Sequence, residues 1–114
     1  MSVKLNTRQV GDVSVVDVAG RITLGEGSSA LRDALRGLVS GGQKKILLNL
    51  GEVSYIDSSG IGELVSGFTT VTNNGGQLKL LNLAKRVKDL LQITKLYTVF
   101  DVREDEADAV RSFE

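Results

Sequence analysis

The sequence predicts an α/β fold in a single domain over residues 1–114: a mixed, mostly parallel sheet, preceded by an N-terminal hairpin and packed with about four helices. Three features point to it. Two Val-rich stretches at the start are joined by a connection holding Gly11-Asp12, which suits a tight hairpin turn. After them, apolar runs of strand length alternate with segments of helical periodicity. The connections hold only a few residues, with no linker and no internal repeat, so the later strands run parallel with right-handed crossovers.

Val3 to Val10 and Val13 to Val18 read as the hairpin strands. "AGRITLGEGSS" follows as an irregular connector. Ala30, Leu31, Ala34, Leu35, Leu38 and Val39 then recur at helical spacing, with Ser28 or Ser29 available as N-cap and Gly41-Gly42 as the stop. "KKILLNL", Lys44 to Leu50, is a nearly unbroken apolar run, the pattern of a strand covered on both faces. Ile61, Leu64, Val65, Phe68 and Val71 form the apolar side of a second helix, which stops at Asn73-Asn74-Gly75-Gly76. "QLKLLNL", Gln77 to Leu83, repeats the strand character. A third helix carries Val87, Leu90, Leu91 and Ile93, a short strand covers Thr98 to Val102, and a fourth helix starts in "REDEAD", whose acids suit a helix N-terminus.

A chain of 114 residues can bury about two-thirds of the surface it exposes when unfolded, so it needs no disulfide or metal staple. Fourteen basic and fourteen acidic residues cancel, which removes the footprint of a general nucleic-acid or anionic-membrane binder. No run approaches the length of a membrane span and the N-terminus lacks an apolar leader core, so the chain reads as cytoplasmic. The absence of histidine and cysteine excludes Ser-His-Asp and Cys-His catalysis and thiolate or imidazole zinc sites. Phe68, Phe100, Phe113, Tyr55 and Tyr97 form no evident row for stacking bases.

Two stretches invite a functional reading. "GEGSSA", Gly25 to Ala30, formally matches a dinucleotide-binding glycine pattern, but Ala19 to Leu24 separate it from its strand, and a connector plus N-cap accounts for it better. "YIDSSGIG", Tyr55 to Gly62, sits where an apolar strand gives way to an apolar-periodic helix, at the strand end where ligands and partners meet such sheets. It lacks the first glycine of a nucleophile elbow, and no Ser-x-x-Lys lies near it. An N-cap needs one residue, yet three are offered, and two glycines in or beside the first helical turn weaken the helix unless something must come close there.

"NLGEVSYIDSSGIGELV", Asn49 to Val65, resembles the signature of the STAS domain of bacterial anti-sigma factor antagonists. "GRI" at Gly20 to Ile22 and "GGQLKLLNL" at Gly75 to Leu83 extend the resemblance along the chain. It implies a protein–protein switch in which an anti-sigma factor that is also a serine kinase phosphorylates the antagonist and a phosphatase resets it. Carried over, Ser58 is the phosphoacceptor, Asp57 its neighbouring acid, and Ser59, Gly60, Ile61 and Gly62 part of the docking surface. ATP and magnesium belong to the kinase, so the chain itself needs no cofactor. Many regulatory members carry an acid after the connector's Gly-x-Leu/Ile, facing the partner; here Thr23 stands there and Arg21 adds a positive charge. The same resemblance admits a STAS scaffold or transporter-associated module without a regulated serine. "AKRVKD", with Lys85, Arg86 and Lys88, reads as a solvated helix face.

Overall fold

In a computed structural model, which describes residues 3–114, the Val-rich start forms an antiparallel hairpin of β1 (Val3–Val10) and β2 (Val13–Ile22), with Val10 opposite Val13. Four helices and three further strands follow in alternation: α1 (Glu26–Ser40), β3 (Lys45–Ile56), α2 (Ser58–Asn73), β4 (Gln77–Leu81), α3 (Lys85–Ile93), β5 (Asp101–Arg103) and α4 (Glu106–Arg111). The strands lie side by side in chain order, β1 antiparallel and the rest parallel.

Two strands run further than their apolar patterns suggest. β2 continues to Ile22 and β3 to Ile56, because backbone pairing persists past Gly51-Glu52. Asp17 pairs with Asn49 but Ala19 with Glu52, and Gly20 pairs with Val53 but Arg21 with Tyr55, so β3 carries an extra residue at two places. Each bulge breaks the alternation of side chains, which hides the strand from a periodicity argument. Their result is that Ile22 and Ile56 come side by side, and the segments after them start together.

Three boundaries move for local reasons. α1 begins at Glu26 with Gly25 as its cap residue and no side-chain cap, so neither Ser28 nor Ser29 is the N-cap; the Ser28 amide donates to the Thr23 carbonyl at 3.0 Å. β4 stops at Leu81, since Asn82 adopts φ 58°. The strand expected over Thr98 to Val102 is confined to Asp101–Arg103, because Leu96 and Val99 spend their amides on the turns that leave α3.

The sheet separates two apolar layers. On one side Leu31 and Leu35 of α1, Leu64 and Val71 of α2, and Val87 and Leu91 of α3 pack with Val16, Ile46, Leu48 and Leu80. Phe68 and Phe100 meet edge to face within that layer, ring centres 5.5 Å apart. On the other side Ala109 and Phe113, in and after α4, cover Val13, Val15, Leu47 and Leu81. Strand neighbours in chain order with right-handed crossovers place successive helices on one face, which leaves the other to α4.

That second face is fixed by charge. Lys79, buried in β4, donates to the Ser112 carbonyl and hydroxyl at 2.8 Å each and lies 3.3 Å from Asp101. Arg8 of β1 grips both Asp17 and Glu106, with closest contacts of 2.6 Å to each, and so binds the first strand to the last helix. Its guanidinium holds both carboxyl groups below their ordinary range. Groups depressed in this way stabilise the fold above the ordinary carboxylate pKa and lose that contribution as pH falls through the folded values. Arg8→Met should lower the melting temperature at pH 7 and flatten its decline between pH ~4 and pH ~2 relative to the parent; thermal denaturation followed by circular dichroism at several pH values reads both effects.

Candidate functional site

Asp57 follows β3 directly and takes extended backbone angles, φ −104° and ψ −174°, as the N-cap of α2. One carboxylate oxygen accepts from the Gly60 amide at 3.0 Å and from the Ser59 hydroxyl at 2.6 Å. The other accepts from the Leu24 amide at 3.0 Å, across from the connector between β2 and α1. The Asp57 amide in turn donates to the Ile22 carbonyl at 3.2 Å. One side chain thus caps a helix and ties down a loop. These donors, led by the Ser59 hydroxyl and the Gly60 amide, favour the ionised form and lower the Asp57 pKa to about 2.

The two serines are not equivalent. Ser59 is part-buried and its hydroxyl is committed to Asp57. Ser58, the first residue of α2, is exposed, and its hydroxyl has no partner among the described residues. Asp57 is correspondingly occupied with Ser59, Gly60 and Leu24 rather than with Ser58. The site therefore offers one free hydroxyl above a helix N-terminus, beside a carboxylate that stays charged.

The remaining expected docking residues divide by exposure. Gly60 and Ile61 are buried, so their side-chain positions do not form an outer surface. A Cβ on Gly60 would stand 2.5 Å from the Ile22 carbonyl oxygen and 2.6 Å from an Ile56 side-chain carbon. That glycine makes room for β2 and β3, not for another protein. Gly62 is exposed, and a Cβ there would meet nothing within 4 Å. Gly27, in the glycine pattern of the connector, serves as Gly60 does: its Cβ would lie 2.6 Å from the Arg21 carbonyl oxygen. Close packing of α1 on the end of β2 accounts for it.

Arg21 is exposed, and its guanidinium lies over the Tyr55 ring, 4.7 Å from the ring centre, where register pairing of the two residues puts it. Thr23 is half-buried and its carbonyl is used by the start of α1. Sequence reasoning passed over Leu24, which is 81% exposed although the Asp57 contact fixes its backbone. The available signal was a bulky apolar residue in the connector with no periodic apolar neighbour. Among the described residues no group of acids is arranged to hold a metal ion, and no helix is long and apolar enough to cross a membrane.

The two glycines of α2 should respond oppositely to an added methyl. Gly60→Ala should cost about 1–3 kcal/mol through overpacking against backbone, whereas Gly62→Ala should be neutral or gain up to about 1 kcal/mol from helix propensity. Urea denaturation of both variants measures the difference, and equal effects would contradict the packing described for Gly60.

Comparison with known proteins agrees with this architecture. A family model described as the STAS domain matches residues 4–109. An anti-sigma-B factor antagonist of Bacillus subtilis (strain 168) is 34% identical over 102 residues, spanning 90% of this chain and 92% of the relative. The crystal structure of an anti-sigma factor antagonist from Mycobacterium paratuberculosis superposes with a TM-score of 0.87 at 20% identity, covering 98% of this chain and 94% of that one. The phosphorylated form of the Bacillus cell fate determinant SpoIIAA gives a TM-score of 0.76 at 18% identity, covering 97% of this chain and all of that one. The two structures speak for the fold, while the family match and the Bacillus subtilis relative speak for descent: the chain belongs to the STAS domain family, as a relative of its anti-sigma factor antagonists.

Proposed function

We propose that the protein is an anti-sigma factor antagonist that docks on an anti-sigma factor through the end of the domain bearing Asp57, and that phosphorylation of Ser58 releases it. The observation that carries this reading is the inequality of the two serines: Ser59 is tied to Asp57 at 2.6 Å, while the exposed Ser58 hydroxyl is left free. The partner is both anti-sigma factor and serine kinase, and it supplies ATP and magnesium. A phosphatase restores the binding form. The chain contributes the acceptor and the surface, and the chemistry is done to it rather than by it.

A phosphoryl group adds about −1.5 to −2 charge at neutral pH. Asp57 cannot relieve the repulsion by taking a proton, because its pKa lies near 2. The helix N-terminus offsets part of the new charge, but an acidic or apolar partner surface meets the rest. A tenfold to thousandfold loss of affinity requires only about 1.4–4 kcal/mol, a magnitude that a single close like-charge contact can supply. No change of fold is needed: the clamp made by Asp57 engages Leu24, Ser59 and Gly60 and leaves the Ser58 hydroxyl outside it.

Incubation with the kinase and ATP, followed by fragment mass spectrometry, should place one phosphate on Ser58; a phosphate on Ser59 would overturn the assignment. In pull-down or calorimetric binding, Ser58→Ala should remain bound to the kinase in the presence of ATP. Ser58→Asp should bind at least tenfold more weakly. Equal binding by the two variants would remove regulation at Ser58.

A further inference from the structure

Leu24 is the most exposed large apolar side chain among the described residues, 81% open to water, and it packs against neither apolar layer of the sheet. Single exposed apolar residues are ordinary on protein surfaces, so exposure by itself assigns it nothing. Its setting is less ordinary. The Leu24 amide donates to an Asp57 carboxylate oxygen at 3.0 Å. The Thr23 carbonyl before it accepts from the Ser28 amide, and the Gly25 carbonyl after it accepts from the Ser29 amide, each at 3.0 Å. The backbone is therefore held on both sides. All three bonds use main-chain atoms of the connector, which any residue at position 24 would supply, so the fold makes no use of the leucine side chain.

That side chain stands close to the proposed phosphoacceptor. Asp57, to which Leu24 is bonded, is the residue before Ser58, and consecutive Cα atoms are only about 3.8 Å apart. One partner's share of a standard interface covers about 800 Å², a patch about 16 Å in radius. A footprint of that size centred on the Ser58 hydroxyl includes Leu24, so the protein that acts on Ser58 is also the one that covers the leucine. A polar partner surface would gain nothing from it. An apolar pocket would take the side chain out of water, which favours association by roughly tenfold to hundredfold. Because the connector is already pinned to Asp57, little backbone freedom is lost when the side chain is seated.

We propose that Leu24 is the apolar anchor by which the anti-sigma factor kinase holds this chain, its side chain entering an apolar pocket on the kinase while Ser58 faces the kinase active site. The inference deepens the antagonist reading and rests on it for the identity of the partner. It separates two tasks at one end of the domain: Leu24 supplies affinity and Ser58 supplies control. A phosphoryl group on Ser58 brings a strongly hydrated charge to the edge of the apolar contact, where it must lose water for Leu24 to stay seated. Asp57 joins the two, since its carboxylate fixes the Leu24 amide and its capping position sets where Ser58 begins α2.

The probe is the serine kinase purified by its transfer of labelled phosphate from ATP to the wild-type chain. In calorimetric binding without ATP, Leu24→Ser should weaken association at least tenfold, and Leu24→Met, similar in volume, by less than about threefold. With ATP present, Leu24→Ser should raise KM for phosphorylation at least tenfold and leave kcat within about twofold, because the acceptor hydroxyl is untouched. Its melting temperature should match that of the wild type, since the side chain is open to water. Val99→Ser is the control and should bind as the wild type does: Val99 is also exposed, but it precedes β5, near the opposite end of the strands from Asp57. Unchanged binding by Leu24→Ser, a loss in kcat rather than a rise in KM, or an equal loss in Leu24→Met or Val99→Ser would overturn the proposal. So would a wild-type dimer in sedimentation that Leu24→Ser dissociates, which would make a second copy the occupant. The two readings fail separately. Normal kinase binding by Leu24→Ser together with loss in Ser58→Asp would refute the anchor and leave the switch. Weak binding by Leu24→Ser, with Ser58→Asp bound as tightly as the wild type, would do the reverse.

Discussion

The Asp57 carboxylate is the constraint around which this end of the molecule is organised. It receives the Gly60 amide and the Ser59 hydroxyl on one oxygen and the Leu24 amide on the other. Helix α2 and the connector after β2 are remote in sequence, yet they share this acceptor, so the first cannot tilt without displacing the second. Because the donors hold the group ionised, the arrangement persists at any physiological pH. The paired ends of β2 and β3, with Ile22 beside Ile56, bring the two segments within reach of one side chain.

Two contacts complete the constraint from below. Gly60 lets the first turn of α2 descend onto Ile22 and Ile56, and Gly27 does the same for α1 over Arg21 and Ile22. Both helices therefore start flush with the sheet, and the exposed groups near their starts include the Ser58 hydroxyl, the Leu24 side chain, Gly25, Glu26, the backbone at Gly62 and Arg21 over Tyr55.

Much of this was legible in the sequence, and the failures have physical causes. The strand and helix order follows from apolar spacing, and the hairpin from Gly11-Asp12 between Val-rich runs. The choice of Asp57 as the cap of α2 comes from the structure, but that a side chain among Asp57, Ser58 and Ser59 caps the helix follows from residue chemistry. The length of β3 did not, because bulges destroy the period on which such reasoning rests. The cap of α1 did not, because Gly25 fills that position through backbone conformation, φ 98°, while Ser28 and Ser29 offer the more familiar side chains. Gly60 and Gly62 look alike in a string of letters, and only the position of Ile22, a residue thirty-eight places earlier, separates a packing glycine from an open one. The difference between Ser58 and Ser59 is of the same kind, since it depends on which hydroxyl turns toward Asp57.

The strand order has a consequence for how the chain assembles. Since β1 to β5 lie in the sheet in the order in which they are made, each new strand finds its neighbour already present, and a helix-sized segment is all that must close between them. The contacts that do span nearly the whole chain, from Arg8 to Glu106, belong to the face covered by α4. Growth from a ribosome would therefore complete the layer of α1, α2 and α3, with the Asp57 clamp in it, before the far face is sealed. The end of the domain proposed here as the docking surface is built from the part of the protein that can be finished first.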